Sequence, residues 1–193
     1  MARWQSGSRE RLAACALRLF ATQGFDGTTV AEIAAEAGLT ERTFFRYYAD
    51  KREVLFAGDE EFAGLFLDGL RSSTSSRPME LLAAALEHAA AFFPDEKRPW
   101  SRDRQVVVTG NAALRERELH KMAALADALT SALTERGIDS TTAALAAEAA
   151  VSVFRRSFAT WIAEGESRSF IDIQRSVLGR LQALLAPSHP EER

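Results

Sequence analysis

Cysteine occurs once in this 193-residue chain, at position 15, and histidine three times, at 88, 120 and 189. One thiol cannot build an internal disulfide framework. Cys15 lies on an apolar helix face, where a free cysteine ordinarily serves as a small buried hydrophobe. The histidines are scattered, and no HExxH, GxSxG or phosphate-loop pattern accompanies them, so neither a metal cluster nor a catalytic signature is present. Proline (five) and glycine (eleven) interrupt the chain rarely, and strand-like alternation is scarce. No run reaches the ~18 apolar residues of a membrane span. Residues 9–20 are apolar but periodic, are broken by Arg18 and are followed by no small-residue cleavage site, which argues against a signal peptide. The expectation is a soluble, cytoplasmic protein without membrane contact. There is no repeat of fixed period and no heptad series long enough for a coiled coil.

What is present is abundant alanine and 47% hydrophobic residues, enough for a folded core and pointing to an all-α protein. Net charge is −3, yet residues 1–57 carry 8 Lys and Arg against 7 Asp and Glu, while the remainder carries 16 against 20. A weakly basic head on an acidic body fits a DNA reader without proving one.

The pattern predicts about nine helices. Residues 1–7 read as an arm and Ser8 as the cap of a first helix running to Gln23, with Leu12, Cys15, Ala16, Leu19 and Phe20 as its apolar stripe. Thr28 or Thr29 caps a second helix near 29–36, and Thr40 caps a third over 41–47. Between them Gly38 supplies the positive φ that a tight helix-turn-helix requires. A fourth helix is expected from Lys51 to about Arg71, and RSSTSSRP then reads as a Ser-rich loop. Further helices are expected over 79–93, 101–110, 112–136, 140–164 and 169–186, with residues 94–100 as a loop and SHPEER as a tail.

On a helical wheel, Phe44 and Tyr48 fall on one side of the third helix and Arg42, Phe45 and Arg46 on the other, with Thr43 and Tyr47 on the flank. Phe44 and Tyr48 would anchor the helix. An outward aromatic between two arginines is poorly explained by solvation alone, although Arg42 and Arg46 can also decorate a solvated face, and Glu41 tempers their field. In a helix-turn-helix the second helix of the pair enters the DNA major groove. There Arg42 and Arg46 can grip guanine or phosphate, and Phe45 can pack on a thymine methyl. Thr29, Thr40, Thr43, Tyr47 and Lys51 can set the register on the phosphate backbone.

Residues 8–56, through LAACALRLFATQGFDGTTVAEIAAEAGLTERTFFRYYADKREVLF, resemble the N-terminal domain of the TetR family of transcriptional regulators. TTV, IA..AG, T..TFFRYY and K..VL stand at that family's spacing. The resemblance implies a three-helix DNA-binding head, residues 1–50, on a helical ligand-binding and dimerisation body, residues 51–193. It implies a homodimer that binds a palindromic double-stranded DNA operator, mostly as a repressor, and is released by a small-molecule effector. No cofactor and no enzymatic activity are implied. By position, the family's DNA contacts map onto Thr29, Thr40, Arg42, Thr43, Phe45, Arg46, Tyr47 and Lys51. Arg42 and Arg46 stand where many relatives carry Gly and His or Tyr, so the operator cannot be borrowed from a relative.

In the body, NAALRERELHKMAALADALTSAL, AALAAEAAVSVFRRSFATWIAEGE and the leucine-rich last helix are similar to a subgroup with acyl-CoA-like ligands. Candidate pocket residues are Phe62, Phe66, Leu82, Leu86, Phe92, Phe93, Trp100 and Val107, with His88, His120 and Met122 as polar or soft groups nearby, although each is more commonly ordinary core. Candidate dimer residues are Phe154, Phe158, Trp161, Ile173, Val177, Leu181 and Leu184, on two helices apolar enough to want a partner. The competing classes are a DNA-binding architectural protein without ligand control and, more remotely, a helical enzyme.

Overall fold

The computed structural model describes residues 3–185, and side-chain exposure within them for 7–184. The described residues form nine α-helices and no strand: α1 (Arg3–Gln23), α2 (Val30–Glu36), α3 (Glu41–Tyr47), α4 (Asp59–Ser72), α5 (Pro78–Ala89), α6 (Arg98–Gly110), α7 (Ala112–Glu135), α8 (Ser140–Trp161) and α9 (Phe170–Leu185). Short 3₁₀ turns occupy Glu53–Leu55, Ala90–Phe92 and Asp95–Lys97. The expected all-α architecture is therefore observed, with three corrections. Residues 3–7, expected as an arm, are helical and belong to α1. The fourth helix begins at Asp59 rather than near Lys51. Its delay has a local cause: Asp50 Oδ1 accepts from the amides of Arg52 and Glu53, and the consecutive residues Val54, Leu55 and Phe56 are all buried, which one face of an α-helix cannot achieve. The expected loop over 94–100 instead holds a 3₁₀ turn and the start of α6. The tail SHPEER lies outside the described residues.

The chain divides into two compact units. The first comprises residues 1–59 and 99–121, so α6 from Pro99 and the first ten residues of α7 belong with α1–α3. Its apolar core joins Leu12, Ala16 and Phe20 of α1, Ile33 of α2, Phe44 and Tyr48, Val54–Phe56, and Val107, Val108 and Leu114. Around Phe56 stand six charged side chains of balanced sign. Arg104, buried, donates to the Leu55 carbonyl (2.8 Å) and to Glu118 (2.7 Å), with its guanidinium 4.8 Å from the Phe56 centroid. Arg117 lies 4.7 Å from the same centroid, donates to both Glu53 oxygens (2.8 and 3.0 Å) and meets Asp59 at 3.0 Å. Lys121 completes the group on Asp59 at 2.9 Å.

The second unit comprises residues 60–98 and 122–193. Its core is aromatic. Phe62, Phe66, Phe92, Phe93, Phe154, Phe158, Trp161 and Phe170 form one continuous ring cluster, with centroids from 4.6 Å (Phe93–Phe170) to 6.2 Å (Phe158–Trp161) and mostly tilted or edge-to-face geometry. Helices α4 and α5 approach closely at Gly69, where a Cβ would stand 2.6 Å from the Ala84 carbonyl oxygen and 2.6 Å from the His88 Cβ. Arg136, just beyond α7, holds the Ser-rich segment by donating to the carbonyls of Leu70, Ser73 and Ser75. Asp139 caps α8 by accepting from the Thr142 amide at 3.0 Å, and this interaction holds its carboxyl below the usual range.

Candidate nucleic-acid interface

Two threonines start the two short helices of the motif. Thr29 caps α2 through a reciprocal box: its hydroxyl accepts from the Glu32 amide (3.2 Å), and its own amide donates to the Glu32 carboxylate (2.7 Å). Hydrogen bonds from the Thr29 backbone, then from its hydroxyl, lower the Glu32 pKa from its usual value. Thr28, the other candidate cap, is buried and donates its hydroxyl to the Gly24 carbonyl. The turn between the helices closes at Gly38, φ +66°, with amides 38 and 39 returning to the carbonyls of Ala35 and Ala34. Thr40 then caps α3, accepting from the Thr43 amide (3.2 Å), and the two hydroxyls lie 3.1 Å apart.

Burial along α3 follows the wheel. Phe44 is 0% and Tyr48 4% exposed, and the Tyr48 hydroxyl donates to the Arg9 carbonyl of α1 (3.0 Å). Burial pushes the Tyr48 phenol up from its usual pKa. Arg42, Phe45 and Arg46 are exposed, Phe45 at 54%, and Thr43 and Tyr47 are intermediate. Arg46 lies over the Tyr47 ring (4.9 Å) and donates to its hydroxyl (3.0 Å), which orients one guanidinium on the open face. The result is a rigid short helix presenting two guanidinium groups around an apolar ring.

Lys51 is placed differently from the other candidates. Its ammonium donates to the carbonyls of Phe25 (2.6 Å) and Thr28 (2.7 Å) and lies 4.3 Å from the Phe25 centroid. The charge is used to hold the α1–α2 turn. Nothing local in the sequence announces this, because the partners are 23 and 26 residues away.

The candidate pocket residues are divided between the two units. Phe62, Phe66, Leu82, Leu86, Phe92, Phe93 and Met122 belong to the core of the second unit or pack on it. Trp100 (38% exposed), Val107 and the exposed His120 belong to the first unit, and His88 is exposed on α5. A groove of about 310 Å³ in the second unit is lined by Phe93, Pro94, Phe170 and Ile171, with Glu87 and Asp95. Of these, only Phe93 stood among the candidates. Of the candidate dimer residues, Phe154, Trp161 and Ile173 are buried within this chain, Phe158, Val177 and Leu181 are half-buried, and Leu184 is 82% exposed. The α8 and α9 periodicity marked both kinds alike, since one helix can pack on its own chain along one stripe and be open along the next.

Residues 12–57 match the sequence profile of the bacterial regulatory proteins of the tetR family. Over 93 residues, 46% of the chain, it is 31% identical to the uncharacterised HTH-type transcriptional regulator YerO of Bacillus subtilis (strain 168), covering 32% of that protein. The chain spans about a third of the length of the curated relatives it matches. Among solved structures, FadR of Bacillus subtilis in complex with stearoyl-CoA superposes with a TM-score of 0.58 at 19% identity, over 89% of this chain and 96% of that one. AibR in complex with isovaleryl coenzyme A and operator DNA gives a TM-score of 0.51 at 19% identity, over 90% and 97%. At these identities the structural likeness speaks to the fold. No described helix is long and apolar enough to cross a membrane. Residues 12–57 thus match the N-terminal domain of the tetR family of bacterial regulatory proteins, and the chain shares its all-helical fold with these solved regulators.

Proposed function

We propose that the protein is an effector-controlled transcriptional repressor that binds a palindromic operator as a homodimer, with residues 1–50 reading DNA and residues 51–193 carrying the effector and dimer surfaces. The observation that carries this reading is the open face of α3: Arg42, Phe45 and Arg46 exposed together on a helix that Phe44 and Tyr48 lock into the head. Arg42 and Arg46 supply guanidinium forks for guanine edges or phosphates, and Phe45 supplies an apolar contact for a thymine methyl. Thr29, Thr40, Thr43 and Tyr47, exposed or half-buried around them, supply hydroxyls for the phosphate backbone. Lys51 acts from behind, by holding the turn.

The effector assigned here is a small hydrophobic or acyl-CoA-like molecule. Two proteins of the same fold carry stearoyl-CoA and isovaleryl coenzyme A, and the second unit of this chain offers the aromatic interior that an acyl chain would suit. The reading gives the chain no catalytic role.

The test is selection of bound duplexes from a random pool, followed by anisotropy titration. The expected sequence is an inverted repeat, with Kd rising steeply with salt as phosphate neutralisation requires. Arg42→Ala with Arg46→Ala should weaken binding by at least a hundredfold. Unchanged affinity in that double variant sinks the assignment of α3. Stearoyl-CoA or isovaleryl-CoA should raise the operator Kd, and no response to either would remove the acyl-CoA-like class.

A further inference from the structure

Helix α9 carries one uncharged polar side chain into the interior. Gln174 is 2% exposed, and its Nε2 is fully buried with no hydrogen-bond partner among the described residues. Buried amides almost always find a partner, and one that does not forfeits its hydration without return. An apolar side chain of equal shape would serve the described fold better, which leaves the amide poised for a partner beyond the described residues.

Its position says what that is. Gln174 stands one turn beyond Phe170 and three residues beyond Ile171, on the face of α9 that these two residues share. Phe170 and Ile171, with Phe93 and Pro94, line the groove of about 310 Å³, a size at the lower end of the ~300–1,000 Å³ typical of small-molecule sites. The two carboxylates in the same lining are already matched. Glu87 pairs with Arg175, and Asp95 pairs with Arg98 at 2.5 Å and accepts from the Trp161 indole at 3.3 Å. The groove therefore offers apolar surface and neutralised charge, with an unsatisfied donor one turn away.

We propose that Gln174 is the polar anchor of the effector site: its Nε2 donates to a carbonyl oxygen on an uncharged, mainly apolar group that enters by this groove and packs on Phe93 and Phe170. A ketone, ester or thioester carbonyl flanked by hydrocarbon has this chemistry. The proposal rests on the reading of the second unit as the effector-binding part.

Acetophenone and ethylbenzene test it, being close in shape and differing in the acceptor. In the full-length ¹⁵N-labelled protein, acetophenone should move the Gln174 side-chain amide protons downfield and bind at least tenfold more tightly than ethylbenzene. Gln174→Met should raise the Tm of the unliganded protein, erase that preference and keep ethylbenzene binding; Gln174→Leu is the second variant for the same readouts. A lower Tm in both variants would mean that the amide is satisfied within the chain, and would overturn the proposal. Equal affinity for the two probes, or an amide signal that neither probe moves, would overturn it as well. The two readings fail separately. If stearoyl-CoA releases the protein from DNA while acetophenone leaves Gln174 unmoved, only the anchor is lost. If acetophenone behaves as expected while no CoA ester affects DNA binding, the anchor stands and the effector class of the regulator falls.

Discussion

The two units solve the problem of holding helices together with opposite chemistry. The first gathers three cations and three carboxylates near Phe56 in two bonded groups, Arg104 with Glu118, and Arg117 and Lys121 with Glu53 and Asp59. The second fills its interior with eight rings. Charge-assisted hydrogen bonds are directional and become costly when one member is lost. Ring contacts accept a range of tilts and centroid distances at similar energy. On the proposed function α3 meets DNA in one orientation, and the directional network suits that, because it fixes Val54–Phe56 directly after the motif. On the proposed function the interior admits a molecule, and the ring cluster suits that, because its members can re-tilt without leaving a charge unpaired.

The largest expected effect lies in the ring cluster. Phe62→Ala removes a fully buried ring that meets Phe66, Phe92, Phe93 and Phe154. It should cost about 4 kcal/mol in urea unfolding. A cost under ~1 kcal/mol would show that the cluster refills the space and is not packed as described. Next comes Arg104→Met, which strands Glu118 and the Leu55 carbonyl and should cost about 3 kcal/mol. Adding Glu118→Leu should recover most of that loss, since an apolar pair does not carry the desolvation of two charges. Failure to recover would mean that the network contributes more than its mutual pairing, and the contrast between the units would need another basis.

Acid should separate the units in the same way. Burial pushes the Glu118 carboxyl up, but Arg104 and then Lys121 outweigh it, so its pKa in the folded chain lies below the ordinary 4.5. A carboxylate depressed in this way contributes stability that is fully present above 4.5 and is lost as the pH falls through its lower folded value. Loss of the first unit's tertiary signal should therefore begin below pH 4.5 in the wild type. In Glu118→Gln the midpoint of that loss should shift and its slope become shallower. An unchanged profile would assign acid sensitivity to other carboxylates.

How much of this could be read in the sequence depended on distance along the chain. The division of α3 into Phe44 and Tyr48 inside and Arg42, Phe45 and Arg46 outside is a property of helical periodicity within seven residues, and it was fully legible. So were the cap at Thr40 and the turn at Gly38, each of which closes within five residues. Extension of the first unit to α6 and α7 was not. It depends on Arg104 reaching Leu55 and Arg117 reaching Glu53, pairs separated by 49 and 64 residues, and on the wheel each of these arginines looks like an ordinary solvated charge. Trp100, Val107 and His120 fall in a different unit from Phe62, and apolarity could not say so, because it marks burial without saying in which core. Gln174 was invisible because a single glutamine in a leucine-rich helix carries no periodic signal, and its lack of a partner exists only once the fold places it.

The smallest expected effect concerns Lys51, a cation of the first unit that sits outside the Phe56 network. If its ammonium serves the Phe25 and Thr28 carbonyls, Lys51→Met should lower the stability of the head by about 1 kcal/mol. It should also weaken operator binding modestly and equally at all salt concentrations, because the register of α2 is loosened while no phosphate contact is lost. If instead the ammonium swings out to the duplex, the slope of log K against log salt should fall by about one for the missing ion pair. Titrations of wild type and Lys51→Met at four salt concentrations therefore distinguish a lysine that builds the reader from one that touches the DNA. Parallel lines place Lys51 with the directional supports of the first unit, and converging lines place it with Arg42 and Arg46.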